Sequence, residues 1–215
     1  MQQRTILFDL DGTLTDPREG ITRSVQYALS KLDIHEPDLV ALEHFIGPPL
    51  LQCFMHTYSL TEARAWEAVN HYRDRFREVG LYENQVFDGV IELLQLLQDQ
   101  GRTLYIATSN PTVFATEIAR HFDFARYFKA IYGSELDGTR TNKVELIAHL
   151  LEQEGLDPTD TLMIGDRKHD LIGAHGNGVR AVAVGYGFGS LEELSSERPA
   201  HHVQTLAQLR QAFAG

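Results

Sequence analysis

From Val86 onward the chain alternates between helical patterns and short runs that are apolar at nearly every position. A helix over Val90–Gln100 closed by Gly101 leads to "TLYIA" (Thr103–Ala107). A helix from about Pro111 leads to a short strand "KAIY" starting at Lys129. A helix over Lys143–Glu154 closed by Gly155 leads to "TLMIG" (Thr161–Gly165), and a turn of helix leads to "VRAVAV" (Val179–Val184). A strand that is apolar throughout is buried on both faces, and strands separated by helices pair in parallel with the helices as cover. Thr5–Asp9 reads as one more strand of the same kind. The pattern therefore predicts an α/β fold, a doubly wound, Rossmann-like parallel sheet.

Between the first strand and the second lies a different texture. Ile21 to Leu81 contains nothing strand-like and three helical stripes: Ile21, Val25, Leu29 and Leu32; Leu50 or Leu51, Phe54, Met55 and Tyr58; and Trp66, Val69, Phe76 and Val79 after an N-cap at Thr61. Each is most simply core packing. The gap is too long for a crossover connection, so the expected organisation is a core of residues 1–16 and 85–215 with an all-helical cap domain, residues 17–84, inserted. Cys53, the single cysteine, falls in the second stripe and reads as a packing thiol; alone it excludes an internal disulfide or a cysteine-rich metal site.

In open parallel sheets ligands sit beyond the carboxyl ends of the strands. The first strand ends on Asp9, followed in the turn by Asp11, Gly12 and Thr13; the second ends on Thr108, Ser109 and Asn110; "TLMIG" ends on Gly165 and Asp166, with Asp170 four residues on; and Lys143 opens the helix before it. Singly, each has a plain structural reading: a hairpin turn at Asp-Gly, a helix cap before Pro111, another cap at Asp166, a solvated lysine. Their convergence on one sheet edge favours a site. Nineteen basic against 30 acidic residues give a net charge of −11, which disfavours nucleic acid polymers and anionic membranes and favours a small partner. There is no membrane-length apolar run, and Met1–Arg4 leads into the first strand without a signal-peptide core, so a cytoplasmic location is expected.

The four segments "DLDGT" (Asp9–Thr13), "YIATSN" (Tyr105–Asn110), "TNKVELI" (Thr141–Ile147) and "MIGDRKHD" (Met163–Asp170) resemble, in order, the four motifs of the haloacid dehalogenase superfamily of aspartyl-phosphate phosphohydrolases. The insert between the first and second motifs is similar to that of its phosphoglycolate-phosphatase-like branch with a helical cap. The resemblance implies a phosphatase acting on a small phosphorylated metabolite. A carboxylate that attacks phosphorus divides one difficult hydrolysis into two displacements, provided positive charge offsets the repulsion between anions. Magnesium (Mg2+), which takes oxygen ligands, suits carboxylates, and no His or Cys cluster stands at these strand ends to favour zinc. Asp9 and Asp166 are the expected metal ligands, with the carbonyl of Asp11 as a third that the resemblance implies.

Asp9, ending its strand, is read as nucleophile and Asp11, on the mobile side of the turn, as general acid and base. Thr108 and Lys143 complete the catalytic set by stabilising phosphoryl oxygens. Gly12, Ser109, Asn110 and, from the insert, Arg18 are assigned to substrate; for Arg18, as for Arg23, a solvated helix face competes. Asp170 is expected to orient Lys143 or a metal-bound water. His169, His201 and His202 read as spacing or surface, and "YGFGS" (Tyr186–Ser190) as a loop before a short helix, since no helix-opening lysine follows it. Two rivals remain at this level. A phospho-aspartate receiver is disfavoured because an acid follows the lysine here; a phosphomutase or phosphotransferase of the same superfamily is not excluded. A dehalogenase would need neither Asp11 nor metal. The insert is expected to serve as a lid that excludes water and selects small phosphomonoesters.

Overall fold

The computed structural model describes residues 1–214. In chain order these form β1 (Thr5–Phe8), β2 (Thr15–Asp16), α1 (Arg18–Lys31), α2 (Leu50–Tyr58), α3 (Glu62–Arg75), β3 (Gln85–Val86), α4 (Val90–Asp99), β4 (Thr103–Pro111), α5 (Thr112–His121), β5 (Ala130–Ser134), α6 (Lys143–Glu154), β6 (Thr161–Gly165), α7 (Lys168–His175), β7 (Arg180–Val184), α8 (Leu191–Ser196), β8 (His201–Val203) and α9 (Leu206–Ala214). The chain divides into two compact units, Met1–Asp16 with Val86–Gly215, and Pro17–Gln85.

The first unit is built on a sheet in the order β5-β4-β1-β6-β7-β8, with every pairing parallel. Strands buried on both faces explain the unbroken apolar runs. Leu7, Tyr105, Ala107, Met163, Ala181 and Ala183 turn to one face, where Leu146, Ile147 and Leu150 of α6 and Leu171 and Ala174 of α7 cover them. The alternate residues, among them Ile6, Phe8, Ile106, Ile164 and Val182, are buried on the other face, where Phe8 meets Phe128 edge-on at 6.2 Å. The chain builds leftward from β1 through β4 to β5, then restarts on the other side at β6. This reversal puts the switch point between β1 and β6, the place beyond whose strand ends open parallel sheets bind their ligands.

Two details differ from the pattern. The strand read as ending at Ala107 runs on to Pro111, with a register irregularity after Ala107. Thr108, Ser109 and Asn110 therefore lie on the strand and do not cap α5. A sixth strand, β8, pairs with β7 through His201–Val203, three residues too few to show a period.

In the second unit the first stripe is buried as read, with Ile21, Val25, Leu29 and Leu32 inside. Thr61 caps α3 by accepting the Arg64 N–H. The buried face of α3 is Ala65, Ala68, Val69 and Tyr72, continued by Phe76. Val79 is 45% exposed, because Phe76–Gly80 forms a π-turn closed by Leu81 N–H on Phe76 O, and the extra residue rotates the stripe outward. Cys53 is buried beside Phe54 in the sequence of α2, as a packing thiol should be. No helix among the described residues is long and apolar enough to cross a membrane.

Candidate active site

Asp9 is the residue immediately after β1, and its N–H still donates to Ile164 O of β6 at 2.9 Å. It is buried, and its Oδ1 accepts the Leu10 N–H at 2.8 Å. Lys143 is the first residue of α6, held there by an N-cap in which Asn142 accepts the Val144 N–H at 2.8 Å. From this position its Nζ lies 2.9 Å from Asp9 Oδ1 and 2.6 Å from Asp170 Oδ1, and donates to Ala107 O at 2.6 Å. Its ammonium thus faces two carboxylates and one backbone carbonyl. Burial alone would lower the Lys143 pKa, but the Asp170 and Asp9 carboxylates outweigh it and hold the amine above its usual range. The solvated-lysine reading fails: the residue is 4% exposed.

Asp166 follows β6 and is completely buried. Its Oδ1 accepts the Thr13 hydroxyl at 3.3 Å and its Oδ2 accepts the Phe188 N–H at 2.8 Å. Burial first, then the charges of Asp170 and Asp9, push its carboxyl well above the ordinary range. Asp170, in the first turn of α7, is raised in the same direction by burial and by Asp9, while its Oδ2 accepts the Arg167 N–H at 3.1 Å. Asp9, Asp166 and Asp170 can each present an oxygen within 4.8 Å of the others.

Asp11 is buried, and backbone bonds from Gly12 N–H to Thr15 O and from Leu14 N–H to Leu10 O close its turn. Its carboxyl is pushed up to about 7 by burial and by Asp9, against the opposing pull of Asn110 and Lys143. The Asn110 amide donates to Asp11 Oδ2 at 3.0 Å, while Asp11 Oδ1 is buried with no hydrogen-bond partner. Four buried carboxylates, of Asp9, Asp11, Asp166 and Asp170, thus face one ammonium. An all-oxygen donor set with surplus negative charge and an orphaned buried oxygen is what a hard divalent cation fits.

The structure brings Asp9, Lys143 and Asp170 into direct contact, and Asn110 onto Asp11. Thr108 is buried, its hydroxyl oxygen accepting the Asn110 N–H at 3.2 Å. The Ser109 carbonyl accepts the Ser134 hydroxyl at 2.8 Å. Gly12, expected at the substrate, has φ +82°, and a Cβ there would lie 2.2 Å from Asp166 Oδ2. Asn110 likewise has a protein partner. Arg18 stands in the second unit, with its Nε 3.0 Å from Glu43 Oε1; Arg23 pairs with Glu19 at 2.9 Å.

Sequence reasoning missed the Tyr186–Glu193 segment. Besides the Phe188 N–H on Asp166, the Tyr186 hydroxyl donates to Thr13 O at 3.0 Å, and Glu193 Oε1 lies 2.9 Å from Arg167 Nε and accepts the Lys168 N–H at 2.9 Å. The alternating glycines of "GYGFG" were the available signal. They mark a closely packed backbone: Gly187 and Gly189 lie against Asp166, and Gly185 against the Gln204 side chain.

Fold and site together define a haloacid dehalogenase-like hydrolase: the description of that family matches residues 6–184, and the chain belongs to it. The chain is a phosphatase of this family, a phosphoric monoester hydrolase. It is 71% identical over 208 residues to a 5'-nucleotidase from Pseudomonas aeruginosa, covering 97% of this chain and 94% of that one. It is 37% identical over 210 residues to the tyrosine-protein kinase PtkA of Mycobacterium tuberculosis, covering 97% and 72% respectively. Among solved structures, that of a predicted phosphatase from Clostridium acetobutylicum superposes with a TM-score of 0.97 at 45% identity, covering 100% of this chain and 99% of that one.

Proposed function

We propose that the protein hydrolyses a small phosphomonoester, of the nucleoside 5'-monophosphate class, through an aspartyl-phosphate on Asp9. The observation that carries the reaction is the buried contact of Lys143 Nζ with Asp9 Oδ1 at 2.9 Å beside the Asp166 and Asp170 carboxylates. An Asp9 oxygen attacks phosphorus, the bond from phosphorus to the ester oxygen breaks, and Asp11 gives its proton to the departing alcohol. Water then attacks the same phosphorus, Asp11 takes a proton from it, and the Asp9 carboxylate leaves with inorganic phosphate released. A carboxyl held at about 7 carries a proton when the alcohol needs one and can lose it for the water.

Magnesium is the cation we assign, held by Asp9, Asp166 and the carbonyl of Asp11; when bound it offsets the repulsion between carboxylate and phosphate. Lys143 stabilises the phosphoryl oxygens, with Thr108 and the neighbouring backbone N–H groups as further donors. Asp170 orients Lys143, and Asn110 orients Asp11. The nucleotide class rests on the 71% identity to a 5'-nucleotidase. Selectivity is assigned to residues 17–84, which the chain inserts directly after the Asp9–Thr13 turn.

Phosphate release across a panel of nucleotides, sugar phosphates and phosphoglycolate, with magnesium and with EDTA, tests this reading. Nucleoside monophosphates should lead and EDTA should abolish turnover; full activity in EDTA would refute the magnesium assignment. A second reading, transfer of the Asp9 phosphoryl group to an acceptor, is favoured by the identity to a protein named as a tyrosine kinase. Adding an alcohol or a tyrosyl peptide distinguishes the two: transfer consumes ester without releasing an equal amount of phosphate.

A further inference from the structure

Asp166 is enclosed by backbone. A Cβ on Gly187 would lie 2.4 Å from Asp166 Oδ2 and 2.4 Å from Gly12 O; one on Gly189 would lie 2.0 Å from Asp166 O. With the Gly12 position already noted, side chains at three glycines would each collide with this one aspartate. Gly187 does not occupy the left-handed region, so what the position demands is room and not backbone freedom. The Phe188 N–H on Oδ2 and the Thr13 hydroxyl on Oδ1 each take one lone pair and fix the plane of the carboxylate, leaving the second lone pair of each oxygen.

The same segment is itself fastened on both sides of the aspartate. Upstream, the Tyr186 hydroxyl bonds Thr13 O at 3.0 Å, and its ring meets Phe87 edge-on at 5.4 Å. Downstream, Glu193 grips Arg167 and the Lys168 N–H, the two residues that follow Asp166. A loop that merely closed the fold would need neither a hydroxyl aimed at the Asp9–Thr13 turn nor an N–H aimed at a buried carboxylate.

We infer that Tyr186–Glu193 is the positioning element of the metal site, which sets divalent-cation affinity by fixing Asp166 against the Asp9–Thr13 turn. The inference rests on the metal reading above. Outer groups that orient a ligand typically contribute about 10–100-fold to metal affinity. Tyr186→Phe keeps the ring and removes one donor, and Gly187→Ala adds one methyl against Asp166.

Calorimetric titration of Mn2+ or Mg2+ into wild type and both variants tests this, with metal-free melting as the control for fold. The expected result is binding about 10–100-fold weaker in both variants, with metal-free melting close to wild type for Tyr186→Phe and lowered for Gly187→Ala, whose added Cβ must displace Asp166 or the Gly12 backbone. The half-saturating magnesium for turnover should rise while kcat at saturating metal recovers. Should Gly187→Ala not fold, Tyr186→Phe decides. Variants that bind as tightly as wild type overturn the positioning role and leave the metal site standing. A wild type that binds no cation overturns both.

Discussion

The two units treat charge in opposite ways. In the helical unit the ion pairs keep water within reach: Arg18 with Glu43, Arg23 with Glu19 and Arg64 with Glu67 are pairs of which both side chains remain 31% exposed or more. Arg75 with Glu83 is the more enclosed, at 19% and 21%. In the sheet unit Lys143 and its two carboxylates are 3% exposed or less, and two further buried carboxylates have no ammonium of their own. Exposed pairs contribute about 0–1 kcal/mol. Buried charges cost more in desolvation than they return unless fully partnered. The helical unit is therefore stabilised by its apolar stripes with charge as trim, whereas the sheet unit carries a destabilising cluster that its large apolar core offsets.

The sharpest way to break this contrast is at Asp9. Asp9→Asn should lower kcat by about 10⁴-fold or more and leave no phosphate on the protein by intact mass. Asp11→Asn should cost about 10²–10⁴-fold and slow both displacements while still permitting covalent phosphate. A phosphorylated Asp9→Asn protein would overturn the assignment of the nucleophile.

Lys143→Met should come next, as a stability effect. Removing the ammonium leaves the Asp9 and Asp170 carboxylates buried without it, a change that costs about 3–5 kcal/mol in comparable cases. Chemical denaturation without metal checks this, and the loss should shrink as pH falls and the carboxyls take up protons. An unchanged midpoint would mean that the cluster is not electrostatically coupled.

A smaller effect follows from pH. Asp11 holds its proton up to about 7 in the fold against 3.8 ordinarily, and Asp166 and Asp170 are raised in the same sense. The folded chain then binds protons that the unfolded chain has released. The Asp11 contribution is complete below pH 3.8 and is lost as pH rises through about 7, and Asp166 and Asp170 act in the same direction. His169 runs the other way, but its pKa is lowered from 6.5, so its effect is spent above that pH. Raised Lys143 matters only near its own alkaline range. In EDTA the melting temperature should fall between about pH 6.5 and about pH 8.5, and magnesium should restore most at the upper end, where the carboxylates are ionised. A melting temperature that rises with pH in EDTA would contradict this.

The smallest effect belongs to the helical unit. Arg64→Ala should shift stability by only a few tenths of a kcal/mol and leave turnover alone. A loss comparable to that of Lys143→Met would erase the contrast between the units.

The same contrast explains what could be read in advance. Asp9, Lys143 and Asp166 were legible because each sits at the end of an element whose pattern is local: an apolar run, or a helix opened by Asn142. The Lys143–Asp170 contact followed from two such ends meeting at one edge. Asn110 on Asp11 was not legible, since a primary amide at a strand end serves substrate or protein equally well and only the fold places its partner. The Phe188 N–H was invisible in principle, because every residue but proline carries one. Val79 turned outward because a π-turn shifts phase by one residue, and three-residue β8 is shorter than the period that would announce it. The glycines at 187 and 189 were visible, but their meaning lay in a neighbour some twenty positions earlier.

The place of β1 in the sheet has a consequence for how the protein is made. Thr5 aligns with Thr103 on one side and with Thr161 on the other. The strand that carries Asp9 leaves the ribosome 156 positions ahead of its second neighbour, counted from Thr5 to Thr161, roughly ten to thirty seconds at ordinary elongation rates. The helical unit, continuous in sequence from Pro17 to Gln85, can pack as soon as it emerges. Until Thr103–Pro111 emerges the apolar strand ending in two acids has neither neighbour, and until Thr161–Gly165 follows it has only one. The carboxylate cluster assembles only when Asp166 and Asp170 arrive, so a chain interrupted before them carries the motif that opens the site and no site.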